Sequence, residues 1–337
     1  MARSSIKDIA KHSGVSAATV SRTLSNPEIV SEATREKVMK AVKELNYRPN
    51  RFGASLRTQK SKNIIVVMPD ITHPVNAGII RSIENEAMKA GYSVLLGDTQ
   101  NIIERESYYA DMVLSGQADG ILLFTYRLPF DVDEGQPLLD QLPPLVNSCE
   151  EIDSDEIYKV VIDNCLGAKK AVDYLLELGH TKIAAVKGPS VTPSTTDRLK
   201  GYKQALTEAG IKVNDKFIIT GNYGPESGFH AMEKLLKLKD RPTAVFCFSD
   251  EMAIGAINAL REYDFSVPED MSVVGFDDIY YASLFSPKLT TIRQPLELIG
   301  EKCMQMLLEL LNSNKPANKR IELPTELVVR NSTGPVK

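Results

Sequence analysis

The sequence predicts an all-α helix-turn-helix head followed by an α/β body made of two doubly wound parallel-sheet lobes. Three observations carry that expectation. Three short amphipathic segments precede Asn46, the charge changes sign near residue 62, and short apolar runs alternate with amphipathic segments from Asn63 onward. At 337 residues the chain exceeds one ordinary core, so two or three domains are expected.

In the head, Ile6 to Ser13 has apolar residues at helical spacing and stops before Gly14, a turn residue. Ser16 reads as the N-cap of a second helix, Ala17 to Leu24, with Val20 and Leu24 facing inward. A third helix starts after Ser31 and runs to about Leu45, with Val38, Ala41, Val42 and Leu45 closing a small core. Two short helices joined by a glycine-containing turn form a helix-turn-helix, whose second helix lies in the major groove. Its first residues, Ala17, Ala18, Ser21 and Arg22, are then the base readers. Arg22 can bond two acceptors of a guanine, whereas Ala17 and Ala18 offer methyl contact suited to thymine. Ser5, Ser16, Thr19 and Asn26 are candidate phosphate contacts, with helix capping the competing use of the same side chains.

Charge supports this assignment. Residues 1–62 hold 13 Lys and Arg against 5 Asp and Glu, a net of +8 inside a chain whose overall net charge is -4. A basic head on an acidic body marks a nucleic-acid binder whose other part does something else.

The body begins with Ile64-Ile65-Val66-Val67-Met68 and a helix from about Ala77 to Ala90. Strands follow at Ser93–Leu96, Gly120–Phe124, Leu145-Val146 and Val160–Ile162. A second series comprises Lys182–Val186, Ala244–Cys247 and Ser272–Phe276. Continuous apolar strands separated by helices predict parallel sheets covered on both faces, with ligand bound beyond the strands' carboxyl ends. The cleft between two such lobes is the expected small-molecule site.

Ile6-Lys7-Asp8-Ile9-Ala10, Gly14-Val15-Ser16, Thr19-Val20-Ser21-Arg22 and Asn26 together resemble the lactose/galactose repressor (LacI/GalR) family, as does Tyr47-Arg48-Pro49-Asn50 with Ser55-Leu56. Body segments such as Gly188-Pro189, Arg198-Leu199-Lys200-Gly201-Tyr202 and Gly275-Phe276-Asp277-Asp278 extend the likeness over nearly the whole chain. Pro69-Asp70-Ile71 and Arg127-Leu128-Pro129-Phe130-Asp131 are most similar to its cytidine repressor subgroup. The resemblance implies a periplasmic-binding-protein-like body that acts as a homodimer on a near-palindromic double-stranded operator. It implies a helix-turn-helix domain at 1–48, a hinge helix and linker at 49–62, and an effector-binding and dimerisation domain at 63–337. The N-lobe would comprise 63–163 and 293–320, the C-lobe 164–290 and 321–337. In the hinge, Ser55 and Leu56 would contact DNA, with Leu56 wedged into the minor groove. Gly53-Ala54 departs from the usual Ala-Arg there and weakens hinge-helix formation.

The effector would be a small sugar or nucleoside. Arg198 and Asp277 match positions that grip ligand hydroxyls, since a guanidinium donates and a carboxylate accepts; an interlobe salt bridge is the alternative. Tyr223 matches an aromatic packed on the ligand ring, and Ser194 and Asp250 are rim candidates. Asp163, at a crossover, either binds ligand or braces the hinge. Val75-Asn76 stands where the family commonly has two aromatics, so Asn76 offers a polar contact and Phe124 or Tyr126 supplies stacking.

Other classes find little support. No dinucleotide fingerprint, phosphate loop, metal-ligand cluster or nucleophile elbow occurs, so no catalytic residue, metal or cofactor is expected. No apolar run spans a membrane and Met1–Ser5 is not apolar, which predicts a cytoplasmic protein. Cys149, Cys165, Cys247 and Cys303 stand singly, as buried reduced thiols do. A transcriptional activator of the same family and, from another class, a cytoplasmic sugar- or nucleotide-binding enzyme are the alternatives to a repressor.

Overall fold

The computed structural model describes residues 4–47, 60–133 and 135–337, and the chain divides into two units, 1–61 and 62–337. The hinge segment expected to contact DNA, with Ser55 and Leu56, lies outside the described residues.

The first unit contains α1 (Ile6–Ser13), α2 (Ala17–Ser25) and α3 (Glu32–Glu44). Local chemistry sets these boundaries. Ser5 and Asp8 form a reciprocal capping box at the start of α1, and Gly14 ends it at φ 67, a left-handed conformation that costs glycine little. Ser16 accepts from the Thr19 backbone N–H and caps α2. Ile9, Val20, Val38 and Ala41 are buried at the centre, with Leu24, Val42 and Leu45 packed around them.

The second unit holds two six-stranded sheets. The first has the order β11-β5-β4-β3-β1-β2 and is wholly parallel: β1 (Asn63–Met68), β2 (Ser93–Asp98), β3 (Gly120–Leu123), β4 (Leu145–Ser148), β5 (Lys159–Ile162) and β11 (Arg320–Leu323). The second has the order β12-β10-β9-β8-β6-β7: β6 (Ile183–Lys187), β7 (Ile218–Thr220), β8 (Ala244–Cys247), β9 (Ser272–Asp277), β10 (Thr290–Arg293) and β12 (Glu326–Val328). Its edge strand β12 runs antiparallel to β10, an exception to the all-parallel expectation. The remaining helices are α4 (Pro74–Lys89), α5 (Ile103–Leu114), α6 (Leu138–Gln141), α7 (Asn164–Glu177), α8 (Pro193–Glu208), α9 (Pro225–Leu236), α10 (Asp250–Glu262) and α11 (Leu296–Leu311).

Strand β1 shows why its sequence is apolar throughout. Ile64, Val66 and Met68 enter one core with Ile79 and Ile83 of α4, while Ile65 and Val67 enter a second with Val113 of α5. Helix α4 starts at Pro74, before the expected Ala77, because proline fits a first turn whose N–H has no intrahelical partner. Helices α9 and α10 meet backbone to backbone at two glycines. A Cβ on Gly228 would lie 2.1 Å from the Met252 carbonyl oxygen, and one on Gly255 would lie 1.9 Å from that of Pro225.

The chain passes between the sheets three times: after β5, after β10, and between β11 and β12. The last crossing falls at Pro324-Thr325, not at the expected 320–321. Arg320–Leu323 stays in register with Lys159–Ile162, so residues 321–323 belong with the first lobe.

Candidate effector cleft and nucleic-acid interface

In each sheet the strand order reverses beside one strand, β1 in the first and β6 in the second. Crevices form at such points outside the carboxyl ends, and here the two lie on one cavity of ≈ 250 Å³. The first lobe contributes His73 and Asn76 after β1, Phe124 and Tyr126 after β3, and Cys149 and Glu150 after β4. From the second come Thr192, Ser194 and Arg198 after β6, Tyr223 after β7, and Asp277 at the end of β9.

Seven of the nine expected effector residues therefore line one cavity: Asn76, Phe124, Tyr126, Ser194, Arg198, Tyr223 and Asp277. Two do not. Asp250 is fully buried behind the wall, where it accepts from the Thr291 hydroxyl (2.5 Å) and the Ile279 N–H (2.8 Å). Burial and the charge of Asp277 push its pKa well up, so it braces β9 and β10. Asp163 caps α7 by accepting from Leu166 N at 2.7 Å, and it lines a smaller adjoining pocket of ≈ 160 Å³.

Arg198 and Asp277 both belong to the second lobe, so theirs is not an interlobe salt bridge. The guanidinium donates from Nε to Asn164 Oδ1 (2.8 Å) and from Nη1 to the Phe248 carbonyl, and lies 3.6 Å from the centroid of the Phe276 ring. Its Nη1 is 3.8 Å from Asp277 Oδ1, which accepts from Gln294 Nε2 at 2.6 Å. Burial pushes the Asp277 pKa up, against the opposing pull of Arg198. Tyr223, held at φ 72, places its hydroxyl 2.6 Å from Thr195 Oγ1 and 3.0 Å from Ser194 Oγ. Asn76 donates to the Asp70 carbonyl (2.6 Å), and Arg127 covers the Tyr126 ring.

The sequence reading missed Glu150 and His73. Glu150 accepts from Ser194 Oγ (2.5 Å) and Ser194 N (3.1 Å) across the cleft, and His73 Nε2 lies 3.3 Å from Glu251 Oε2 of α10. Burial raises the Glu150 pKa, although the bonds from Ser194 oppose it. A carboxylate just past the end of an apolar strand was the available signal.

Cys149 also lines the cleft, and burial pushes its thiol up to about 12. Cys247 and Cys303 are buried as expected, whereas Cys149 and Cys165 are only partly so; all four are free. Among the described residues, no group of His, Cys, Asp or Glu could hold a metal ion, and no helix is long and apolar enough to cross a membrane.

In the head, Ala17, Ala18 and Arg22 are exposed on α2, opposite buried Val20 and Thr23. Ser16 and Thr19 are bonded to each other (2.9 Å), and Asn26 is the exposed C-cap of α2. Ser21 is half-buried on the same helix. The Ser5 hydroxyl is used within the capping box. Ser5→Ala should therefore destabilise the head by about 1 kcal/mol, read by denaturant melting. A pure phosphate-contact role would instead leave the melt unchanged and weaken binding to all DNA alike.

Comparison with known proteins matches both units. A model described as bacterial regulatory proteins, lacI family, covers residues 5–50, and one for a periplasmic binding protein-like domain covers 172–333. The HTH-type transcriptional repressor CytR of Escherichia coli (strain K12) is 41% identical over 328 residues, 97% of this chain and 96% of that protein. A lac repressor dimer bound to operator and the anti-inducer ONPF is similar at TM-score 0.87 and 29% identity, over 99% of this chain and 100% of that one. A complex of the transcriptional regulator CelR with cellobiose gives TM-score 0.72 and 31% identity, over 98% and 100%.

Proposed function

The chain belongs to the lacI family of bacterial regulatory proteins, and from that we propose a cytoplasmic transcriptional repressor whose grip on an operator is set by a small sugar or nucleoside held between its lobes. The observation that carries this reading is the near full-length likeness to a repressor, which takes in head and body together. Membership makes the chain a DNA-binding regulator and not an enzyme. In support of the effector class, the cleft is lined by a guanidinium, a carboxylate and an aromatic ring, which suit hydroxyls and a flat or apolar ligand face.

In the proposed mechanism the effector bridges the lobes, and the change in lobe geometry passes to paired heads in a homodimer. The lac repressor relative is a dimer on operator. On this chain Tyr280, Tyr281 and Leu284 stand exposed on one 3-10 turn and its exit, and Met88 on α4 is 71% exposed. Exposed apolar surface of this kind supports a second copy as its partner. One small head also buries too little surface for tight specific binding.

The test is DNA affinity of the full-length protein on a selected near-palindromic site, with and without cytidine, adenosine, ribose or cellobiose. The expected result is a dimeric mass by light scattering and a change in operator affinity of roughly 5–150-fold with one of these compounds. A monomer that binds half-sites as tightly as whole sites, or operator affinity indifferent to every compound, would overturn the reading.

A further inference from the structure

We propose that Glu150 makes the cleft selective for unphosphorylated ligands, its own carboxylate holding the position at the start of α8 that a ligand phosphate would otherwise take. This deepens the sugar-or-nucleoside reading above and rests on it for the ligand's remaining chemistry.

The geometry is that of an anion already bound. Glu150 comes from the loop after β4 in the first lobe, whereas Ser194 is the second residue of α8 in the other. The two carboxylate oxygens take the Ser194 hydroxyl (2.5 Å) and the Ser194 backbone N–H (3.1 Å). Free N–H groups in the first turn and the helix dipole make such a position attractive to carboxylate or phosphate. In this chain it is filled from within.

The cleft's cationic charge is also partly engaged. Among the described residues Arg198 is the one Arg or Lys on the cavity wall, and two of its five donors, on Nε and Nη1, go to Asn164 and the Phe248 carbonyl, beside the carboxylate of Asp277. Against that guanidinium stand three carboxyls on the same wall, Asp70, Glu150 and Asp277. Partial burial pushes the Asp70 pKa up, but two hydrogen bonds from Thr72, together with the charge and backbone N–H of His73, hold it below its ordinary value. The His73 imidazole faces Glu251 at 3.3 Å. A phosphate monoester brings a charge of about −1.5 to −2 at neutral pH. It would enter a carboxyl-rich, partly dry site with its helix-start position occupied, so its desolvation would go uncompensated. A neutral hydroxyl in its place meets no such penalty, and Glu150 thereby discriminates by repulsion and occupancy together.

Thermal shift of the full-length protein tests this with inorganic phosphate as the anion probe and sodium chloride of equal ionic strength as the control. Wild type should respond to phosphate no more than to chloride. Glu150→Ala should gain a phosphate-specific rise in melting temperature, Glu150→Gln a smaller one, and adding Ser194→Ala to Glu150→Ala should cut the gain. Cytidine and ribose against their 5′-phosphates form the second arm. Wild type should prefer the parent compound by at least ~tenfold, and Glu150→Ala should narrow that ratio. Phosphate or a phosphate ester stabilising wild type as strongly as Glu150→Ala would overturn the proposal, as would absence of a gain in a well-folded Glu150→Ala protein. If none of the neutral compounds binds while the phosphate gain appears and needs Ser194, the effector class is wrong and the Glu150 gate stands.

Discussion

Arg198→Ala is expected to destabilise the effector-binding unit by roughly 3–5 kcal/mol, the cost of removing one partner from a buried charged cluster. The guanidinium is nearly enclosed, and its removal orphans Asn164 Oδ1 and the Phe248 carbonyl while leaving Asp277 without its cationic neighbour, though still bonded to Gln294. The stacking on Phe276 goes with it. In melting temperature this corresponds to a drop on the order of 10 °C. Asp277→Asn should cost less, because the amide keeps the shape and one acceptor for Gln294. Both variants should lose effector affinity by roughly 2–5 kcal/mol, and the double variant by less than the sum if the two side chains grip one ligand. Calorimetry and melting together separate the roles. An Arg198→Ala protein that melts like wild type yet fails to bind effector would make Arg198 a ligand group alone; one that melts early yet binds normally would make it purely structural.

Caps are local, so Ser5, Gly14 and Ser16 set the ends of α1 and α2 within a residue of the sequence-based boundaries. Strands covered on both faces announce themselves as apolar runs, and β1, β6, β8 and β9 lie where such runs occur. The three-residue strands β7 and β12 carry too few residues to show a period, and β12 takes its direction from Thr291–Arg293 alone. The cleft is legible to the extent that strand carboxyl ends are. Asn76, Phe124, Ser194, Arg198 and Asp277 all follow that rule, and Asp250 follows it too without lining the cavity. Its strand is β8, but the start of α10 turns it inward toward Thr291. Glu150 and His73 act through partners on the opposite lobe, far away in sequence, and no local pattern encodes which loop meets which.

Arg22→Ala in the head is expected to weaken operator binding by roughly 1–3 kcal/mol, the value of one bidentate contact to a guanine edge. Arg22 is exposed on α2, whose opposite face is fixed by buried Val20 and Thr23 and whose start is fixed by the Ser16 cap. A helix held at three points presents a given side chain in one direction, and the one Arg or Lys on this helix sits on the outward side. Alanine is at least as good a helix former as arginine, so the melt of the head should not change and the affinity loss can be assigned to the contact itself. Binding to random DNA should fall far less. Salt dependence separates the two uses of a cation: removing a base contact leaves the slope of log K against log salt nearly as it was, whereas removing a phosphate contact reduces it by about one. Arg22→Lys keeps the charge but lacks the planar fork. It should therefore restore random-DNA binding fully and operator binding only in part. Equal losses on operator and random DNA, accompanied by a shallower salt slope, would assign Arg22 to the phosphate backbone and leave base reading to Ala17, Ala18 and Ser21.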